Sequence, residues 1–196
     1  MAEADESKAS EYQKRVLALD HAGILKMWES VQTDQGPADW PQGIALEYVI
    51  LRAFQLEGAK VTWPFLVYPP RNRQQPGKVK LEQIDGAIYF AGYSFLVEAK
   101  DRDDPIDFGA VAKLKAQLLR RPHSVFGAVF SISEFTDAAL ALADLLPPPN
   151  VLLWGGPEID LALRRQRLCA GMERKLRYAI EHGFPDLDLT EKEDWL

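Results

Sequence analysis

The segment Glu82-Gln-Ile-Asp-Gly-Ala-Ile-Tyr-Phe-Ala-Gly-Tyr-Ser-Phe-Leu-Val-Glu-Ala-Lys-Asp101 (EQIDGAIYFAGYSFLVEAKD) is two alternating runs on either side of Ala91-Gly92. Alternation of period two marks half-buried strands, and a short glycine-containing turn between them makes a hairpin. With the turn at Ala91-Gly92, Asp85 faces Glu98 and Gln83 faces Lys100. One face then collects Gln83, Asp85, Glu98 and Lys100, with Ala87, Tyr89, Ser94 and Leu96 nearer the turn. The other collects Ile84, Ile88, Phe90, Phe95, Val97 and Ala99 for a core. Two carboxylates opposed at ~5 Å repel by about 3 kcal/mol at an effective dielectric near 20. Stability alone would remove that pair. A divalent cation reverses the sign, because Mg²⁺ takes hard oxygen ligands and completes its shell with water. Lys100, one pleat further on, is spaced to orient a metal-bound water. The hairpin alone leaves one alternative open, in which Glu98 and Lys100 lie at a solvated sheet edge.

Working outward, a helix is predicted from about 41 to 57, with Leu46, Ile50, Ala53 and Phe54 at helical spacing and Gly58 as its stop. Glu47 sits on it among Leu46, Tyr48, Val49 and Ile50, a poor place for a charge unless it is paired or flanks the apolar stripe. Lys60–Tyr68 reads as a strand that Pro64 confines to an edge or a bulge. Residues 69–78 form a basic loop. After the hairpin, a helix at about 107–120 puts Lys113 and Gln117 on one face. Residues 125–132 are a nearly all-apolar buried strand. A helix stopped by Pro147-Pro-Pro149, a strand at 150–155 and one long arginine-rich helix at about 158–181 complete the chain. At the other end, residues 1–9 are expected to be disordered, and Glu11–Val31 to be one broken or two short helices. The break is expected at His21-Ala-Gly23, with Asp20 as a cap. The order α-β-β-β-α-β-α-β-α defines a single α/β domain with a mixed sheet and helices on both faces.

The chain has 196 residues, 47% hydrophobic and 27% charged, with a formal net charge of -6. That balance suits one globular core and excludes a broad nucleic-acid-coating surface, which would be basic; a narrow basic cleft is still compatible. No apolar run reaches the ~20 residues of a membrane span, so no membrane role is expected. The opening MAEADESKAS lacks the features of a signal peptide, and the single cysteine, Cys169, cannot form an internal disulfide. Both point to the cytoplasm. His21, His123 and His182 are scattered without zinc-ligand spacing, and no nucleophile elbow, P-loop or dinucleotide fingerprint occurs.

Glu47 on a helix, Asp85 on one strand and Glu98-x-Lys100 on the next resemble the PD-(D/E)xK nuclease superfamily. Ser133, Phe135, Thr136, Ala139 and Ala143 (SEFTDAALALA) resemble the S-x-F-T-x-x-A-x-x-x-A stretch of Mrr-like restriction endonuclease domains. Gly43-Ile-Ala-Leu-Glu47 resembles their first-helix G-x-x-[FL]-E. Many Mrr-like domains carry Gln where this chain has Glu98, and they are usually fused to a DNA-binding module. The resemblance covers about residues 41–160, with 1–40 as an N-terminal helical extension and 161–196 as a C-terminal helix and tail. It implies a restriction-endonuclease-like αβββαβ core and Mg²⁺-dependent hydrolysis of DNA phosphodiesters, with Mn²⁺ able to substitute. In that reading Asp85, Glu98 and the carbonyl of Ala99 would hold the metal, and Glu47 would support it. Lys100 would place the attacking water and Gln117 would assist. Arg71, Arg73, Lys78, Lys80, Lys113, Arg120 and Arg121 would contact phosphates, though each is also an ordinary solubilising charge. A homodimer is expected from the need to cut two strands, and a partner protein could supply specificity. The alternatives are a structure-selective nuclease resembling Holliday-junction resolvases, and a catalytically silent nucleic-acid-binding or assembly module of the same fold.

Overall fold

A computed structural model of the protein describes residues 2–33, 36–69 and 80–191. Its elements run α1 (Ala2–Leu17), α2 (His21–Val31), α3 (Ile44–Leu56), β1 (Lys60–Thr62), β2 (Phe65–Val67), β3 (Glu82–Ile84), β4 (Gly86–Phe90) and β5 (Tyr93–Lys100). They continue with α4 (Phe108–Leu118), β6 (Val125–Ser131), α5 (Asp137–Leu145), β7 (Val151–Trp154), α6 (Gly156–Arg165) and α7 (Leu168–His182). The central sheet has the order β1-β4-β5-β6-β7, antiparallel up to β5 and parallel beyond it. Taken from α3 to β6 and counting the central-sheet strands β1, β4 and β5, this is the expected αβββαβ layout. No helix among the described residues is long and apolar enough to cross a membrane.

Helices cover both faces. Phe95, Val97 and Ala99 of β5 join Phe54, Trp28, Ile159 and Met172 in the larger core, under α2, α3, α6 and α7. Leu96 joins Val111, Leu114, Ala139 and Ala143 in the smaller one, under α4 and α5. Because side chains alternate along a strand, Glu98 and Lys100 share the face of Leu96 and look toward α4. Ala139 and Ala143 are fully buried, Thr136 caps α5 through Ala139 N, and Thr136 N donates to Ile106 O at 3.0 Å. Ser133 Oγ donates to Asp104 O at 2.9 Å. The S-x-F-T-x-x-A-x-x-x-A spacing therefore fastens the loop after β5 to α5 and lets α4 approach it closely.

The hairpin register is the expected one, from Phe90↔Tyr93 to Gly86↔Val97, and there it ends. β3 leaves the sheet and pairs with β2, so Gln83 faces Leu66 and not Lys100. β1–β4 and β2–β3 keep one common register, which sets Trp63 and Pro64 across from Gly86 and Asp85. Both strands break at the same point, so the ribbon bends without slipping. Pro64 offers no N–H to the ladder at this point. At Gly86 a Cβ would lie 2.7 Å from both terminal methyls of Leu51 and 3.1 Å from Thr62 O. The bend also turns Ile84 from the larger core, where alternation assigns it, into the smaller one. Gly86→Ala should therefore lower stability by about 1–3 kcal/mol, read as a lower denaturant midpoint with an unchanged slope; an unchanged midpoint would show that α3 can retreat freely.

Three further boundaries differ from expectation. α1 begins at Ala2, where Ala, Glu and Lys are good helix formers. The first break falls at 18–20, with Asp20 capping α2 through Gly23 N at 2.9 Å. The long C-terminal helix is two helices, because Gln166 is left-handed (φ 54°) and Glu57 accepts from Leu168 N and Cys169 N, both at 2.8 Å. The buried pair Glu158–Lys175, 2.5 Å apart, anchors the segment beyond α7: Glu158 accepts from Leu189 N at 2.9 Å and Lys175 donates to the Leu187 carbonyl.

Candidate active site

Three carboxylates converge where the ribbon leaves the sheet. Asp85 is delivered by the break between β3 and β4, Glu98 by the last turn of the pleat in β5, and Glu47 by the first turn of α3. Their exposures are 5%, 0% and 7%. α3 starts at Gly43, which has no side chain to cap it; Asp101, next after Lys100, accepts from Gly43 N at 2.9 Å. This contact ties the helix that carries Glu47 to the strand that carries Glu98. Tyr48 stacks on Trp63 at 5.4 Å between ring centres and fixes the same helix to the bend.

The three acids are compensated unequally. Asp85 Oδ2 accepts from Ala99 N at 3.0 Å. Glu98 takes both lysines: Lys100 Nζ lies 2.5 Å from Oε1, and Lys113 Nζ lies 2.8 Å from Oε1 and 2.6 Å from Oε2. Glu47 Oε2 is buried without a hydrogen-bond partner. Burial, then the Asp85 and Glu98 charges, push the Glu47 carboxyl up to about 8 against the pull of Lys100 and Lys113. Burial and the Glu98 charge push Asp85 up to about 6, with the Ala99 N–H and the lysines opposing. The site thus sets three buried acids against two lysines, and without a further cation Glu47 is held in its neutral form. An oxygen-only donor set with an orphaned buried carboxylate oxygen and no His or Cys fits a hard divalent cation such as Mg²⁺ or Mn²⁺. No three His, Cys, Asp or Glu side chains among the described residues form a ready-made metal cluster, and the Glu98 oxygens face ammonium groups.

Two clefts open beside this centre and share Lys113. One, of about 390 Å³, is lined by Lys80, Gln83, Gln117 and Arg120; the other, of about 380 Å³, by Lys100, Arg102, Asp104 and Asp107. Gln117 is buried in α4, donates to Gln83 O at 3.2 Å and leaves its Oε1 unpartnered, so it joins α4 to the ribbon at the rim. Lys80 donates to Gln83 Oε1 at 2.8 Å. Arg120 and Arg121 pair with Glu82, Arg121 at 2.7 Å. Arg71, Arg73 and Lys78 lie outside the described residues. Sequence reasoning missed Asp101, Glu82 and the pairing of Lys113 with Glu98. Adjacency to Lys100 was the only signal for Asp101, and the others depend on contacts that the bend creates.

No protein-family model matches the chain, and no curated protein matches it. Among solved structures it is similar to the MspJI restriction endonuclease in complex with a 27-mer oligonucleotide, at 16% identity and a TM-score of 0.43, over 74% of this chain and 31% of that one. It is also similar to a type III CRISPR defence DNA nuclease activated by cyclic oligoadenylate, at 16% identity and a TM-score of 0.42, over 74% and 26%. The chain spans under a third of the length of either.

Proposed function

We propose that this protein is a metal-dependent endonuclease that hydrolyses DNA phosphodiesters, of the restriction or defence type and with an Mrr-like core, acting in the cytoplasm as a homodimer. The observation that carries the reading is the gathering of three buried acids, Glu47, Asp85 and Glu98, beside Lys100, with one Glu47 oxygen left without a partner. Three buried acids cost stability without a cation, and two of them are held toward protonation in its absence. Asp85 and Glu98, with the Ala99 carbonyl, would hold Mg²⁺, and Glu47 would support it. The bound ion would supply Lewis-acid polarisation of the phosphate and a more acidic water. Lys100, partly open to the cleft at 24% side-chain exposure, would orient the attacking water. Lys80, Arg102, Lys113 and Arg120 border the two clefts and would position the backbone through its phosphates. With a net charge of -6 and so few cations at the clefts, recognition would be local, and a partner protein could add specificity.

The test is incubation with circular duplex, single-stranded and branched DNA in Mg²⁺, Mn²⁺, Ca²⁺ or EDTA. Cleavage is expected with Mg²⁺ or Mn²⁺ and not with EDTA. Ca²⁺, with longer bonds and looser geometry, should support tighter DNA binding than EDTA and little cleavage. Binding without cleavage in every metal would favour a silent binding module, and confinement of cleavage to branched DNA would favour a structure-selective nuclease.

A further inference from the structure

Lys113 is placed unlike the other basic residues. It comes from α4, 15 residues from Glu98 in the chain, and its ammonium bridges both Glu98 oxygens, whereas Lys100 meets only Oε1. Glu98 is fully buried, so its charge must be compensated in the metal-free protein. Lys113 is 43% exposed and Lys100 is 24% exposed, so Lys113 has the freer path outward. That path leads to the shared wall of the two clefts. A divalent ion on Glu98 would add positive charge beside two ammonium groups that lie 2.5–2.8 Å from the same carboxylate, and like charges gathered at one buried group repel strongly. One lysine must then leave, and the more exposed one on the separate helix is the one able to do so.

We infer that Lys113 is the internal counter-ion of Glu98: it holds both carboxylate oxygens in the metal-free site and passes to a backbone phosphate of the nucleic acid when a divalent cation takes Glu98. The inference rests on the proposed metal-dependent nuclease reading and adds a coupling to it. Cation and phosphodiester each release Lys113 for the other, so each must strengthen the other's binding by the same factor. Lys113 is in this sense a positioning residue, and its removal has opposite effects on the two ligands.

Calorimetric titration of Ca²⁺ into the wild type and Lys113→Gln, alone and with a short duplex oligonucleotide, separates the possibilities. Lys113→Gln should bind Ca²⁺ alone about tenfold more tightly than the wild type, bind the oligonucleotide more weakly, and show a smaller enhancement of Ca²⁺ binding by DNA. Thermal melting provides a second readout. The variant should melt below the wild type in EDTA, because Glu98 has lost one counter-ion, and Ca²⁺ should raise its melting temperature by more than it raises that of the wild type. Ca²⁺ affinity in the variant equal to or below that of the wild type, or equal melting shifts, would overturn the counter-ion role and leave the nuclease reading standing. Absence of Ca²⁺ binding by both proteins, with or without DNA, would overturn that reading and this inference together.

Discussion

Asp85→Asn and Lys100→Ala should each reduce DNA cleavage by about a thousandfold or more while the protein remains folded. Asparagine can still accept the 3.0 Å hydrogen bond from Ala99 N through its amide oxygen, so the bend that presents position 85 is retained. What it loses is the charge that would hold a cation. Lys100→Ala removes an ammonium from the rim and leaves Lys113 on Glu98, so the buried carboxylate keeps a partner. Single-turnover cleavage assays, with circular dichroism as the folding control, check both variants. Full activity in either would take that residue out of the chemistry. A loss of ellipticity in Asp85→Asn would show that the carboxylate holds the bend itself.

The stability contributed by Glu47 and Asp85 in the metal-free protein should be lost as pH rises from about 4 to about 8, and Glu47→Gln should remove much of that loss. Glu47 and Asp85 have folded-state values raised to about 8 and about 6, above ordinary values of 4.5 and 3.8. For an acid held upward in this way, the folded state binds the extra proton. Its contribution is fully present below the unfolded value and disappears as pH climbs through the folded one. The window is therefore about 4 to 6 for Asp85 and about 4.5 to 8 for Glu47. Each pKa unit corresponds to ~1.4 kcal/mol, so Glu47→Gln should be more stable than the wild type at pH 8 in EDTA by roughly 2–4 kcal/mol. The two proteins should converge near pH 4. Denaturant melts across that range measure the difference directly; parallel curves would mean that Glu47 is already balanced in the folded protein. Saturating Mg²⁺ should narrow the gap by stabilising the wild type more than the variant.

The register of β4 and β5 was legible in the sequence because period-two alternation and the Ala91-Gly92 turn admit one pairing. So was the split of β5 into two faces, since placing Val97 and Ala99 in one core puts Glu98 and Lys100 on the opposite face. The bend was not legible. Pro64 marks one strand as irregular, but only the pairing of Trp63-Pro64 with Asp85-Gly86 turns a local break into a bent ribbon. Alternation carried through that point misassigned Ile84 and set Gln83 against Lys100. The split between α6 and α7 was hidden for a similar reason, because its cap is Glu57, 111 residues upstream of Leu168. The lysine bridge to Glu98 was hidden too. Lys113 and Gln117 share a helical face, yet Lys113 reaches the carboxylate and Gln117 the ribbon backbone. A single sequence fixes the face of a helix more readily than the partner it meets.

In the proposed function the acids at the bend and Lys100 hydrolyse DNA with a divalent cation. The most direct test is to follow supercoiled circular duplex DNA over time with the wild type and Asp85→Asn, purified side by side, in Mg²⁺ and in EDTA. Open-circular or linear product is expected only with the wild type and only in Mg²⁺. Equal product from Asp85→Asn, or product in EDTA, would contradict that function.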